Sequence, residues 1–141
     1  MISVCIATYN GERFLKRQVT SILSQIDVKD EVIVADDGSV DNTLTILRDL
    51  NDPRIRIVDG AHRHSPTWNF EKALKEARGE YIFLSDQDDV WMPEKVAVTM
   101  RYLQQYDCVV SDNVTVAADD SVISDSFYAV NNTRPGKYYN L

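Results

Sequence analysis

Residues Asp86-Gln87-Asp88-Asp89 come just after the apolar run Tyr81-Ile82-Phe83-Leu84, which sets three carboxylates at the mouth of what reads as a buried strand. Charge at such a place is costly unless a cation or a strong hydrogen-bond donor meets it. If the chain stays extended there, Asp86 and Asp88 project to the same side, because strand side chains alternate with period two. Two hard oxygen ligands on one side form half a site for Mg²⁺ or Mn²⁺, ions that complete their coordination with substrate phosphates and water. The chemistry this predicts is metal-assisted work on a phosphate ester. A solvated acidic loop, or a helix cap ahead of Pro93, is the alternative. A calcium loop of the EF-hand type is excluded by spacing: with Asp86 as first ligand, the fifth position is Val90 and the required glycine is Trp91.

A second polar turn, Asp36-Asp37-Gly38-Ser39, offers other chemistry. A carboxylate there, Asp36 or Asp37, could accept a hydrogen bond from the N3–H of uracil or thymine, and Gly38 would let the backbone approach the base or ribose. The same residues also suit an ordinary tight turn that needs no ligand. His62 and His64 lie in a polar loop from Gly60 to Pro66, as a substrate-covering flap or as solvated side chains. The glycine fingerprint of dinucleotide folds, the phosphate loop of nucleotide triphosphatases and the serine elbow of hydrolases are all missing.

The elements that must position these turns alternate. Ile2 to Ala7 is a strand, followed by the turn Thr8-Tyr9-Asn10-Gly11 and a helix carrying Leu15, Val19, Ile22, Leu23 and Ile26. Glu31 to Ala35 is a second strand, and Asp41 or Asn42 can cap a helix with Leu44, Leu47 and Leu50. Ile55 to Val58 is a third, before a helix with Phe70, Ala73, Leu74 and Ala77 that stops at Gly79; the strand at Tyr81 and a helix begun by Pro93 complete the series. Four such alternations predict an α/β fold, a Rossmann-like, mainly parallel sheet flanked by helices. Cys108 to Asp112 reads as a further strand, Val114 to Val116 with Val122-Ile123 as a hairpin, and 131–141 as a flexible polar tail. Ligands of such sheets gather at the carboxyl ends of the strands, and the turns at Thr8, Asp36 and Asp86 share that rim.

At 141 residues the chain has the length of one domain, and no run approaches the ~20 apolar residues of a membrane span. A net charge of −7, spread along the chain, argues against nucleic acid and would repel an anionic substrate unless a metal intervened. Cys5 and Cys108 both stand in apolar runs and read as buried core. With no basic segment before the first strand, the N-terminus reads as the first strand of a cytoplasmic protein.

Ala7-Thr8-Tyr9-Asn10, Ile33 to Ser39 with Asp41-Asn42-Thr43, Trp68 to Leu74, and Gly79 to Trp91, in this order and spacing, resemble the inverting, GT-A-fold glycosyltransferases of family two. The resemblance runs from Ile2 to about Asp112. It implies a nucleotide-diphosphate-sugar donor, UDP- or dTDP-linked, over the first two turns, and Mg²⁺ or Mn²⁺ held by the D-x-D element. Thr8 and Tyr9 would line the base and ribose, Asp37 would take the pyrimidine N3–H, and Asp88 would be the principal metal ligand. Asp86 would lie near the ribose or sugar and in the metal shell. Asn10, Gly38, Ser39, Asn69 and Gln87 complete the donor set. The wording Ser-Asp-Gln-Asp-Asp-Val-Trp resembles bacterial O-antigen and capsule enzymes, rhamnosyltransferases included. That implies a saccharide or lipid-linked acceptor, and peripheral association with the inner face of the plasma membrane.

Domains of this family are longer, and their catalytic base lies in a second half. The expectation for 1–141 is therefore the donor part alone, lacking the acceptor half and its base, slow in turnover and prone to self-association through an apolar face near the hairpin. Two alternatives are a nucleotide-sugar-binding fragment without catalysis and a Mg²⁺-dependent phosphatase of the haloacid-dehalogenase type. The latter needs its D-x-D after the first strand, where this chain has Ala-Thr-Tyr-Asn.

Overall fold

The first strand, β1 (Ile2–Thr8), is buried along its whole length, and so is β2 (Glu31–Asp36). Continuous burial is what a parallel strand covered on both faces requires, and it explains their unbroken apolar character. The computed structural model describes residues 1–60 and 64–131; β3 (Ile55–Asp59) and β4 (Tyr81–Ser85) complete its main sheet. All pairings in this sheet are parallel, in the order β3-β2-β1-β4, with Val4 opposite both Val32 and Phe83. The chain thus runs outward from β1 to β3 and returns to β4 on the other side of β1. This reversal opens a crevice at the carboxyl ends of β1 and β4.

Helices connect the strands as parallel crossovers demand: α1 (Leu15–Leu23), α2 (Thr43–Asp49) and α3 (Pro66–Glu76). Leu15, Val19 and Ile22 bury the apolar stripe of α1. Ala73 of α3 packs with Cys5, Ile33 and Ala35 on one face of the sheet. At the head of α2 it is Asp41, not Asn42, whose side chain accepts from Thr43 N–H and Oγ1–H, so Asp41 does the capping.

Residues Met1–Val98 form one compact unit and Thr99–Leu141 a second, with α4 (Lys95–Tyr102) crossing from one to the other in sequence. The second contains the antiparallel hairpin β5 (Thr115–Val116) and β6 (Val122–Ser124), then a short α5 (Phe127–Val130) capped by Ser126. Val122 and Ile123 are exposed there. His62 and the 132–141 part of the expected tail lie outside the described residues.

Three expectations need correction. β4 is not a buried strand: it lies at the sheet edge, and Ile82 and Leu84 on one face are 39% and 56% exposed. An apolar run marks a strand but not what covers it. Cys108 to Asp112 makes no strand, because no described neighbour pairs with it, and the Cys108 side chain is exposed.

Cys5 is fully buried in β1, and desolvation, then the nearby Glu31 charge, push its thiol from 9.0 up to about 11, against a smaller opposing pull from Arg56. A thiol raised on folding contributes stability that is present below pH 9 and declines as pH rises from 9.0 toward 11. At pH 8 a maleimide should therefore modify Cys108 in the native protein and reach Cys5 only after denaturant, as peptide mass mapping would show. Equal labelling of both in the native state would contradict this burial.

Candidate functional site

The loops after β1 and β2 are tied together before any ligand is considered. Asn10, in a left-handed conformation at φ 49°, gives its N–H to Ser39 Oγ at 2.9 Å and accepts Val40 N–H on its own Oδ1 at 2.9 Å. Gly11 N–H reaches Thr43 Oγ1 at 2.8 Å, and Glu12 N–H reaches Asp41 at 3.0 Å. Asp36 is consumed by its own turn, accepting from the N–H groups of Gly38 and Ser39 and from Ser39 Oγ. Gly38 turns the chain at φ 84°, which a side chain would strain.

This division of labour separates the two aspartates of the second turn. Asp36 holds the loop, whereas Asp37, 2% exposed, lines the crevice and accepts Ser65 N–H on Oδ2 at 3.1 Å. The bond joins Asp37 to the start of α3, whose Asn69 also lines the crevice and is 2% exposed.

On the opposite wall stands the loop after β4. Asp86, Gln87 and Asp88 all line the same crevice, a cavity of about 300 Å³ bounded also by Ala7, Thr8, Tyr9, His64, Ser65 and Pro66. Tyr9 meets the His64 ring edge-on at 5.0 Å between centroids. The carboxylate loop is anchored from below by a buried polar group: Ser85 Oγ accepts from Gln18 Nε2 of α1 and from Trp91 Nε1 at 3.1 Å. Trp91, 5% exposed, also gives its N–H to Ser21 Oγ and packs on Phe83. Gln18 Oε1 is buried with no hydrogen-bond partner among the described residues.

The sequence-derived donor set therefore divides. Thr8, Tyr9, Asp37, Asn69, Asp86, Gln87 and Asp88 converge on one crevice; Asn10, Gly38 and Ser39 are outside its described lining, Asn10 and Ser39 joining the two loops and Gly38 turning the second. Gln18 escaped sequence reasoning, although a glutamine set between Leu15, Val19 and Ile22 was a readable signal of a buried polar partner. The part of Ser65 and Pro66 was also missed; a serine before a proline, marking the first turn of α3, was its cue.

Electrostatically the crevice is acidic. Asp37, Asp86 and Asp88 face it, and among the described residues no lysine or arginine lines it. Partial desolvation, then the charges of Asp86 and Asp88, raise the carboxyl of adjacent Asp89, with Lys95 pulling the other way. Among the described residues no group of three His, Cys, Asp or Glu side chains converges to hold a metal alone. Two carboxylates facing a cavity fit a hard cation that takes its remaining ligands from phosphate and water, and do not fit a closed zinc site.

The parallel sheet flanked by helices, with a crevice at its switch point, has the fold of the GT-A class, as its likeness to a solved glycosyltransferase structure shows. The chain belongs to glycosyl transferase family 2, matching it over residues 3–137. It is 36% identical over 115 residues to the dTDP-rhamnosyl transferase RfbG of Shigella flexneri, covering 77% of this chain and 38% of RfbG. Among solved structures it resembles S. aureus TarS 1-349 (TM-score 0.67, 25% identity, 82% of this chain, 34% of that one), also solved with UDP. The mannosyltransferase PcManGT from Pyrobaculum calidifontis, in complex with GDP-Man and Mn²⁺, matches at TM-score 0.67 and 26% identity, over 72% of this chain and 32% of its own. The chain thus spans well under half the length of these proteins. No described helix is long and apolar enough to cross a membrane.

Proposed function

We propose that this chain supplies the donor site of an inverting glycosyltransferase that moves a sugar from UDP or dTDP to a saccharide or lipid-linked saccharide acceptor in cell-surface polysaccharide synthesis, at the cytoplasmic face of the membrane. One observation carries the reading: a single crevice has a hydrogen-bond acceptor for a base, Asp37, on one wall and the carboxylates Asp86 and Asp88 on the other, with no described cationic side chain between them. A nucleoside diphosphate spans such a crevice only if a divalent cation offsets the repulsion. The pyrimidine nucleotides named for RfbG and for the TarS complex, and the Mn²⁺ named for PcManGT, support it.

In this reading Tyr9, with His64 against its edge, flanks the base, Asp37 accepts the N3–H, and Thr8 and Asn69 border the ribose. Asp86 and Asp88 would hold Mg²⁺ or Mn²⁺, which when bound neutralises charge growing on the departing diphosphate. Inversion further needs a base on the far side of the sugar, to take the proton of the acceptor hydroxyl. Among the described residues no carboxylate of the crevice is suited to it, since Asp37 is held by Ser65 and the other two would face the cation.

The test is donor binding. Calorimetric titration with UDP- and dTDP-sugars in Mn²⁺ should show saturable binding, and any sugar this chain transfers to a panel of saccharide acceptors should have inverted anomeric configuration by NMR. Release of phosphate from a generic phosphomonoester, with no sugar transferred, would overturn the reading in favour of a phosphatase.

A further inference from the structure

Gln87 is the middle residue of the carboxylate loop, yet its side chain is committed to the loop across the crevice. Its Oε1 accepts from Thr8 Oγ1 at 2.8 Å and from Tyr9 N–H at 2.9 Å, while its Nε2 donates to the Tyr9 carbonyl at 3.3 Å. Only a side-chain amide offers an acceptor and a donor in one rigid plane to meet a backbone N–H and C=O of the same residue. Gly11 lies over this amide: a Cβ there would stand 2.7 Å from Gln87 Oε1 and 2.9 Å from Thr8 Oγ1. Gly11 has no positive φ, so it is space for the amide and not backbone freedom that calls for glycine.

We propose that Gln87 is a positioning residue, a clasp that fixes the separation between the nucleoside wall of the crevice and its carboxylate wall. The proposal rests on the donor reading above. Each wall has its own anchors: Asn10 to Ser39 and Gly11 to Thr43 on one side, Ser85 to Trp91 and Gln18 on the other. Loss of the clasp therefore leaves these anchors and the strand pairing up to Ile6 and Ser85 in place, and frees the loop ends beyond them. A ligand touching one wall loses little, whereas a ligand bridging both must order them at its own cost.

Two variants open the clasp from opposite sides: Gln87→Ala removes the amide, and Gly11→Ala wedges it out from a residue that does not line the crevice. In the ligand-free protein, amide exchange by NMR should accelerate about tenfold or more at Tyr9 in both, with Val4 to Ala7 unchanged. Uridine should weaken far less in both variants than UDP with Mn²⁺, which should bind about tenfold more weakly. Unchanged exchange at Tyr9 would overturn the proposal. So would equal weakening of uridine and UDP, the mark of a general structural role, or a UDP loss confined to Gln87→Ala, the mark of a direct ligand contact. If wild type binds no nucleotide, the donor reading fails, and exchange at Tyr9 alone decides for or against the clasp.

Discussion

Asp88→Asn should change the sign of its effect with the cation. With Mn²⁺ present, the variant is expected to bind UDP about 100-fold more weakly than wild type, because in the proposed site it would lose one of two anionic ligands to the ion. With Mn²⁺ removed by chelator, the same variant should bind UDP as well as wild type or better. One negative charge has then left an acidic wall that has no described lysine or arginine to balance it. Asparagine keeps the volume and polarity of the side chain, so the fold should hold, and uridine affinity gives the internal control. Calorimetric titrations of both proteins under both conditions read all of these values. Weakening by the same factor with and without Mn²⁺ would mean that Asp88 contacts nucleotide or supports the loop without serving a cation.

Asp37→Asn is expected to alter which base is accepted. The carboxylate receives Ser65 N–H on Oδ2, and in the proposed pose it also receives the N3–H of uracil. An asparagine can satisfy Ser65 with its oxygen only by turning its NH₂ toward the ring, where donor would meet donor. UDP affinity should fall about tenfold or more, since a buried donor is left unpaired. CDP, whose N3 is an acceptor, should fall far less or gain. A UDP-to-CDP affinity ratio that stays the same while both decline would remove Asp37 from base recognition and leave it a role in seating the start of α3.

These expectations could be framed from sequence because the site is built from local signals. The strands before Thr8, Asp36 and Asp86 announce themselves by apolar runs, and parallel topology then brings their ends to one rim without further information. Which aspartate of the Asp36-Asp37 pair faces the crevice was not legible from periodicity. It depends on an Asx turn that uses up Asp36, and on a contact to Ser65 distant in sequence. Asn10, Gly38 and Ser39 were placed on the donor by their company in the turns; in space Asn10 bonds Ser39 and Val40 of the second loop, while Gly38 and Ser39 donate to Asp36 within their own turn. Gln87 shows the same limit from the other side: its partners are Thr8 and Tyr9, which only the pairing of β1 with β4 brings within reach. The burial of β4 was misjudged because hydrophobicity reports what a strand prefers to touch and not whether the described chain supplies it.

Binding of a pyrimidine nucleoside diphosphate in this crevice through a divalent cation is tested most directly by titrating the wild-type chain with UDP, followed by calorimetry in Mn²⁺ and again in excess chelator. Saturable one-to-one binding is expected in Mn²⁺ and a loss of about 100-fold or more in chelator, with the affinity restored when the ion is added back. UDP binding that is equally tight in chelator would contradict it, because carboxylates facing a diphosphate without an ion should repel.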